Sequence, residues 1–315
     1  MAEGPDVAQP SVALILLNYN SAHHTIDCLR SLENVLYENL RILVVDNGST
    51  DDSLAAIRSA SAGTEIIETG QNLGFAGGNN VGIKHLLASR PEYILLLNND
   101  TLVEPDFLLQ LVARMERDPG SGAAGGTICY HPEVDSIWYA GGDYVFWRAT
   151  GIHRFLDKPR AIVDNLRTAD VSFITGCLML IRASVLEEIG LLDERFFMYT
   201  EDLEFSLRLM RAGHRLVYEP TAVIYHKIRH RGDTPLTVYY GLRSRLILVR
   251  YCVFGWKKLI ASSYLAVVLS VKLVAWYWKK ADLFRSGLMA VSDFRKGNFD
   301  RRLDELHTHK KSAGA

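Results

Sequence analysis

The sequence has few of the residues that would make it a disulfide scaffold or a zinc module. Its 315 residues include four cysteines, Cys28, Cys129, Cys177 and Cys252, far apart and without a C-x-x-C spacing. Cysteines of this kind suit small buried side chains in a reducing compartment. The leading residues MAEGPDVAQPS lack the basic and apolar segments of a secretory signal, and no internal repeat or low-complexity tract is present. Two N-x-S/T matches, at Asn47 and Asn99, fall inside the motifs discussed below and read as chance glycosylation signatures.

Charge of one sign is scarce in each part of the chain. Residues 1–226 carry 17 Lys and Arg against 30 Asp and Glu, whereas residues 227–315 carry 18 against 6. An acidic body with a basic tail points to an anionic membrane surface or an anionic substrate. No recognised nucleic-acid motif accompanies the basic residues, so nucleic acid is not an expected partner. With 48% apolar and 23% charged residues, the chain reads as globular.

The apolar runs VALILL at 12–17, LRILVV at 40–45, residues 65–68 and residues 93–97 suit short strands, the first buried on both faces. Each ends in a polar cluster: Asn18-Tyr19-Asn20, Asp46-Asn47-Gly48-Ser49, Asn72 to Asn80, and Asn98-Asn99-Asp100. Helical patterns follow, the first through Ile26, Leu29 and Leu32. Ser49 or Thr50 is expected to cap the next, with Asp51 and Asp52 in its first turn. A helix is also expected after Asn80. Alternating strand, loop and helix predicts an α/β fold with a parallel sheet, with ligands beyond the carboxyl ends of the strands.

Residues 135–160 have no sustained period and read as strands with a mobile loop. Residues 171–181 form a buried apolar segment, and helices are expected over 183–189 and 202–212. Leu259 to Trp278 is a 20-residue apolar stretch interrupted by Lys272, with Lys257-Lys258 and Lys279-Lys280 at its ends. Its length matches a membrane span, and the lysines and tryptophans suit an interface. Its serines and Lys272 favour helices lying in the membrane surface over a span.

Several clusters could carry chemistry. Asn98-Asn99-Asp100 after a strand offers oxygen ligands to a hard cation, or simply a turn and helix cap. Glu201-Asp202-Leu203-Glu204 could supply a general base or an acidic first turn, and a regular helix would put residues 201 and 204 on one face with 202 turned away. His226 could ligate a metal; with His230 it makes a weak H-x3-H pattern. Gly74, Gly77 and Gly78 permit close backbone approach, but no P-loop lysine follows them.

Taken in order, NYN, DNGSTD, N-x-G-F-A-G-G-N-N, NND, E-D-x-E-F-x-x-R and a late histidine resemble glycosyltransferase family 2, with the GT-A fold, and within it the bacterial rhamnosyltransferase-like branch. The resemblance covers roughly residues 11–245. It implies a Rossmann-like, mainly parallel mixed sheet flanked by helices, with a C-terminal helical membrane-associating extension. The implied layout is a disordered 1–10, a catalytic domain over 11–235 and a basic, apolar helical region over 236–315. The resemblance further implies that Asn18, Asn20, Asp46, Asn72, Gly74, Gly78, Asn79 and Asn99 border the nucleotide-sugar, with Asp46 on the base.

Asp100 matches the last position of the family's D-x-D motif, with Asn98 at the first and His226 completing a Mg²⁺ or Mn²⁺ site. Asp202 matches the catalytic base, and Glu201 is the alternative. Arg208 would steady its helix or reach the diphosphate, and Arg243 and Arg245 would approach phosphate. The implied reaction is an inverting transfer from a dTDP- or UDP-linked sugar, dTDP-rhamnose first, to a glycan or polyprenyl-diphosphate-linked acceptor. It would take place at the cytoplasmic face of the bacterial inner membrane, with a homodimer left open. Two rivals remain at this stage. A nucleotidyltransferase would need a basic glycine-rich loop near the first strand, which NYNSAHH does not supply. A non-catalytic sugar-nucleotide-binding membrane scaffold is the other.

Overall fold

The computed structural model describes residues 9–227 and 232–299; the expectation of disorder for residues 1–10 falls, through residue 8, outside them, as does His230. The first half alternates as the apolar runs predict: β1 (Val12–Asn18), α1 (Ala22–Leu32), β2 (Leu40–Asp46), α2 (Ser53–Ala60), β3 (Glu65–Glu68), α3 (Gly74–Leu87), β4 (Tyr93–Asn98), β5 (Thr101–Val103) and α4 (Phe107–Arg117). Then come β6 (Ser121–Tyr130), β7 (Ile137–Ala140), β8 (Gly142–Val145), β9 (Thr150–His153), β10 (Ala169–Val171), β11 (Leu178–Arg182), α5 (Ala183–Ile189), α6 (Glu201–Arg211) and β12 (Arg215–His226). Three helices follow: α7 (Pro235–Cys252), α8 (Gly255–Lys279) and α9 (Ala281–Lys296).

The sheet runs β10-β12-β6-β11-β4-β1-β2-β3. Strands β1, β2, β3 and β4 are parallel, and β11 enters antiparallel between β4 and β6. Alternation along β1 splits the core in two. Leu14 and Leu16 face Leu29 of α1 and Leu111 of α4, while Ala13 and Ile15 face Ile83 and Leu86 of α3. Every residue of β6 is buried although its first seven residues, SGAAGGT, carry no large side chain. A Cβ at Gly126 would stand 2.1 Å from the Ala222 carbonyl oxygen, so the close approach of β12 requires glycine there.

Two local expectations are corrected. Helix α3 starts at Gly74, inside the glycine-asparagine cluster rather than after Asn80. Helix α2 begins at Ser53, so Asp51 and Asp52 precede it; Ser49 instead donates to Asp46 (2.6 Å), and Asp51 accepts from the Ser53 N–H (3.0 Å). The strands expected within residues 135–160 are β7 and the β8–β9 hairpin.

Helix α7 is part of the core: Ile247 and Leu248 are wholly buried with the sheet residues. Helix α8 is different. It is long and apolar enough to cross a membrane, yet only 17% of its most apolar window is buried, and Leu259, Val267, Val271 and Trp278 are exposed. It rests along the body through Phe146–Trp256 and Trp147–Tyr264 ring contacts and against α9, where Leu273 and Trp276 cover Gly287.

Candidate active site

Strands β1, β2 and β4 end side by side at Asn18, Asp46 and Asn98. Beyond these ends lies a cavity of about 660 Å³, within the range of small-molecule sites. Of the residues singled out in the sequence, Asn72, Gly74, Asn98, Asn99, Asp100, Glu201, Asp202 and His226 line it. Residues far apart in the chain therefore meet where the parallel-sheet rule places a ligand.

Asn18, Asn20, Asp46, Gly78 and Asn79 do not line the cavity. Asn18 is wholly buried; its amide donates to Asp46 (2.9 Å) and its oxygen accepts from Thr25 (2.8 Å). Thr25 in turn accepts from Asn99 (2.8 Å). This chain of hydrogen bonds ties the ends of three strands to one another, and Thr25 carried no sequence signal. Asn20 accepts from the Thr50 N–H (2.8 Å), and Asn79 donates to the Phe75 carbonyl (2.9 Å). A Cβ at Gly78 would lie 2.5 Å from the Leu17 side chain, so this glycine lets α3 pack on β1.

Arg208, expected to steady its helix or reach the diphosphate, makes the first kind of contact, and Arg243 and Arg245, expected to approach phosphate, engage groups of the protein in this conformation. Arg208 binds Glu204 (2.8 Å) and the carbonyls of Ile189 and Leu191 (2.6 and 2.7 Å). Arg243 is buried in α7, donating to the Tyr239 hydroxyl (3.1 Å). Arg245 donates to the Arg148 carbonyl.

At one part of the cavity Asp100 and His226 meet, with Nε2 of His226 at 3.2 Å from a carboxylate oxygen. Pairing of β12 with β5 sets Thr101 opposite His226, which brings Asp100 next to the histidine. Burial is the largest single influence on Asp100 and works against its charge, but the hydrogen bond from His226, electrostatic attraction to His226 and His24 and a backbone hydrogen bond together outweigh it and hold the carboxyl below its ordinary range. Oδ1 of Asp100 and Nδ1 of His226 are buried without a hydrogen-bond partner. Among the described residues no group of three or more His, Cys, Asp or Glu side chains could hold a metal ion. The chain thus offers one carboxylate, one imidazole and the neighbouring Asn98 amide. That set fits a Mg²⁺ or Mn²⁺ ion completed by substrate phosphates, which is how such ions are commonly held.

Another part of the cavity is formed by the start of α6. Glu201 and Asp202 both line it, whereas Glu204 turns away to Arg208; the expected pairing of 201 with 204 on one face does not hold. Side chains at a helix start lean toward its N-terminus, so adjacent first-turn residues can both reach forward. Asp202 accepts from the Gly176 N–H (3.0 Å). Burial raises the pKa of Asp202, and burial together with the Asp202 charge raises that of Glu201 well above the ordinary range.

The turn before α6 is strained: Phe197, Tyr199 and Thr200 all have positive φ, at 49°, 66° and 76°, conformations that non-glycine residues seldom adopt and that cluster at functional sites. Aromatic residues Trp138, His153 and Phe173 contribute to another part of the wall. The Trp138 ring lies 4.7 Å from that of His226. Trp138 and His153 come from the aperiodic stretch 135–160, and Phe173 from a segment that reads only as buried core, so the sequence did not signal that they meet here.

The sequence model of Glycosyl transferase family 2 matches residues 13–190, more than half of the chain. The chain belongs to glycosyl transferase family 2. It is therefore a glycosyltransferase, with the GT-A type of mixed, mainly parallel sheet. It is 28% identical over 241 residues to an N-acetylglucosaminyl-diphospho-decaprenol L-rhamnosyltransferase of Mycobacterium tuberculosis, covering 70% of this chain and 78% of that one. A poly-beta-1,6-N-acetyl-D-glucosamine synthase of Staphylococcus aureus is 24% identical, but the match spans 68% of this chain and about half (49%) of that protein. Among solved structures, a mannosyltransferase of Pyrobaculum calidifontis in complex with GDP-Man and Mn²⁺ superposes with a TM-score of 0.57 at 16% identity, covering 93% of this chain and 88% of that one. Residues 1–349 of S. aureus TarS in complex with UDP-GlcNAc give 0.58 at 17%, covering 94% and 83%. At these identities the two structures are similar in fold alone.

Proposed function

We propose that this glycosyltransferase moves L-rhamnose from dTDP-rhamnose, with inversion, to a hydroxyl of a polyprenyl-diphosphate-linked saccharide at a membrane surface. The observation that carries the reading is the pair of carboxyls, buried Glu201 and half-buried Asp202, opening into the same cavity as Asp100 and His226. Support for the donor and acceptor comes from the rhamnosyltransferase relative and its lipid-linked substrate.

In this reading Asp202 accepts the proton of the acceptor hydroxyl as its oxygen forms a bond to the anomeric carbon. The bond from that carbon to the diphosphate breaks on the opposite face, and the nucleoside diphosphate departs with the electron pair. Gly176 fixes the Asp202 carboxylate through its N–H. Asp100 and His226, with Asn98, would hold a Mg²⁺ or Mn²⁺ ion, which when bound offsets negative charge on the diphosphate. Asn72 and Gly74 border the donor.

The donor is tested by thermal shift with dTDP-rhamnose and a panel of UDP-sugars, each with Mn²⁺. Only a true donor should raise the melting temperature strongly, and stabilisation by a UDP-sugar alone would replace rhamnose with that sugar. Asp100→Ala should weaken donor binding in Mn²⁺ by roughly tenfold or more, a calorimetric change that disappears in EDTA; equal loss with and without the ion would remove Asp100 from the metal site.

The exposed face of α8 supports the membrane placement. A 25-residue helix is about 37 Å long, and its apolar face is flanked by Lys257, Lys258, Lys279 and Lys280, which suit an anionic interface. Because α7 belongs to the core, deletion of the whole tail would damage the fold. Replacing Leu259, Val267 and Val271 by Glu is the cleaner test. Sedimentation with phosphatidylglycerol vesicles should fall at least tenfold with the melting temperature retained; undiminished binding would exclude this face as the seat.

A further inference from the structure

The turn that delivers Glu201 and Asp202 is held in part by residues of α7 that do not line the cavity. Its three positive-φ residues each cost about 1 kcal/mol or more, so the shape persists only where surrounding contacts over-determine it. Two sets of contacts do so. On the donor side, the Phe75 N–H donates to the Phe197 carbonyl at 2.6 Å. On the far side, α7 presents Ser244, wholly buried, with its hydroxyl 3.1 Å from the Met198 carbonyl oxygen and 3.3 Å from that of Phe196. One proton is thus shared between two carbonyls of the turn.

One helical turn earlier on the same face of α7, Tyr240 stacks on the Phe197 ring with centroids 5.1 Å apart and planes 17° from parallel. This stack is itself backed. The Arg243 guanidinium lies over the rings of Tyr239 and Tyr240, at 5.1 and 5.0 Å. The Tyr239 hydroxyl donates to Asp293 of α9 at 2.6 Å.

We infer that Ser244 and Tyr240 are positioning residues for sugar transfer: they hold the Phe197–Thr200 turn, and through it set where the Glu201 and Asp202 carboxyls stand. The C-terminal helices are thereby part of the catalytic apparatus as well as a seat for the enzyme. The inference rests on the reading of Asp202 as the base. A displacement of about 1 Å at a reacting group can cost on the order of a hundredfold in rate, so a modest relaxation of the turn suffices.

The test uses the full chain with Ser244→Ala, Tyr240→Leu, Tyr240→Phe and the double variant Ser244→Ala/Tyr240→Leu. Ser244→Ala and Tyr240→Leu should each lower kcat by roughly 10- to 100-fold, with the calorimetric Kd for donor and Mn²⁺ within twofold of wild type. Amide exchange over residues 197–202 should quicken in both. Tyr240→Phe keeps the stacked ring and should retain most of kcat. The double variant should lose little more than the worse single one, because both act on one turn. Unchanged kcat or unchanged exchange in the single variants would overturn the inference, as would a parallel loss of donor binding and kcat. A wild-type enzyme inactive with every donor would instead defeat the transferase reading on which the inference stands.

Discussion

Asp202→Asn is expected to lower kcat for sugar transfer by about 10³-fold while leaving the donor Kd within twofold, a loss within the range attributed to general bases. The asparagine keeps the shape and can still accept from the Gly176 N–H, so the turn and the donor site should persist. What disappears is the basic oxygen. If transfer survives, the base lies elsewhere and Glu201 becomes the first candidate. The pH dependence carries the same assignment. Burial raises both carboxyls, and the Asp202 charge raises Glu201 further, so the pair loses its protons in two steps rather than as independent groups.

The base form of Asp202 appears only as pH rises through its elevated pKa, so the acid limb of kcat should lie above the ordinary aspartate value of about 4. Glu201→Gln, which mimics the protonated neighbour, should retain that limb. The sign for stability is opposite to that of a salt-bridged acid. Folded values above unfolded ones mean that the pair's contribution is fully present below the unfolded carboxyl pKa and is lost as pH rises through the folded values. Glu201→Gln should therefore melt above wild type at pH 8 and not at pH 4, as scanning calorimetry at the two pH values would read.

What could be read from sequence follows from how local each cause is. The strands β1, β2 and β4 are apolar on both faces, and the polar clusters at their carboxyl ends are contiguous in sequence, so sheet and mouth were legible together. β6 was not: SGAAGGT has no β-branched or aromatic signal until Thr127, and its burial depends on how closely β12 passes, a long-range fact. The start of α3 was hidden because glycine and asparagine are poor helix formers; tertiary packing of Gly78 on Leu17 and of Gly82 on Ile15 and Val45 overrides that propensity. Trp138, His153 and Phe173 converge only through the β7–β9 segment and the chain entering β11. Glu201 and Asp202 were found by type and spacing, but their shared direction depends on the left-handed Thr200 before α6, which a regular helical wheel does not contain.

Gly74 links these threads, because one atom added there should disturb both substrate sides of the site. It has φ +75°, and a Cβ would stand 2.3 Å from the Phe197 carbonyl oxygen and 2.6 Å from its ring. That oxygen is the acceptor for the Phe75 N–H, so Gly74→Ala must push the Phe197–Thr200 turn away from α3 or break their hydrogen bond. Transfer is expected to fall by about a hundredfold or more, with a clear drop in melting temperature. The backbone conformation alone costs about 1–2 kcal/mol for an L side chain, and Gly70→Ala isolates that part. Gly70 has φ +72° and nothing within 4 Å of the added atom, so its alanine variant should lose a similar increment of stability and keep its kcat. A common modest stability loss with kcat retained in both would show that strain at residue 74 is purely local. Loss of kcat in Gly74→Ala alone, with faster exchange over residues 197–202, would place the cause in the overlap with Phe197, where α3 meets the Phe197–Thr200 turn at a single carbonyl.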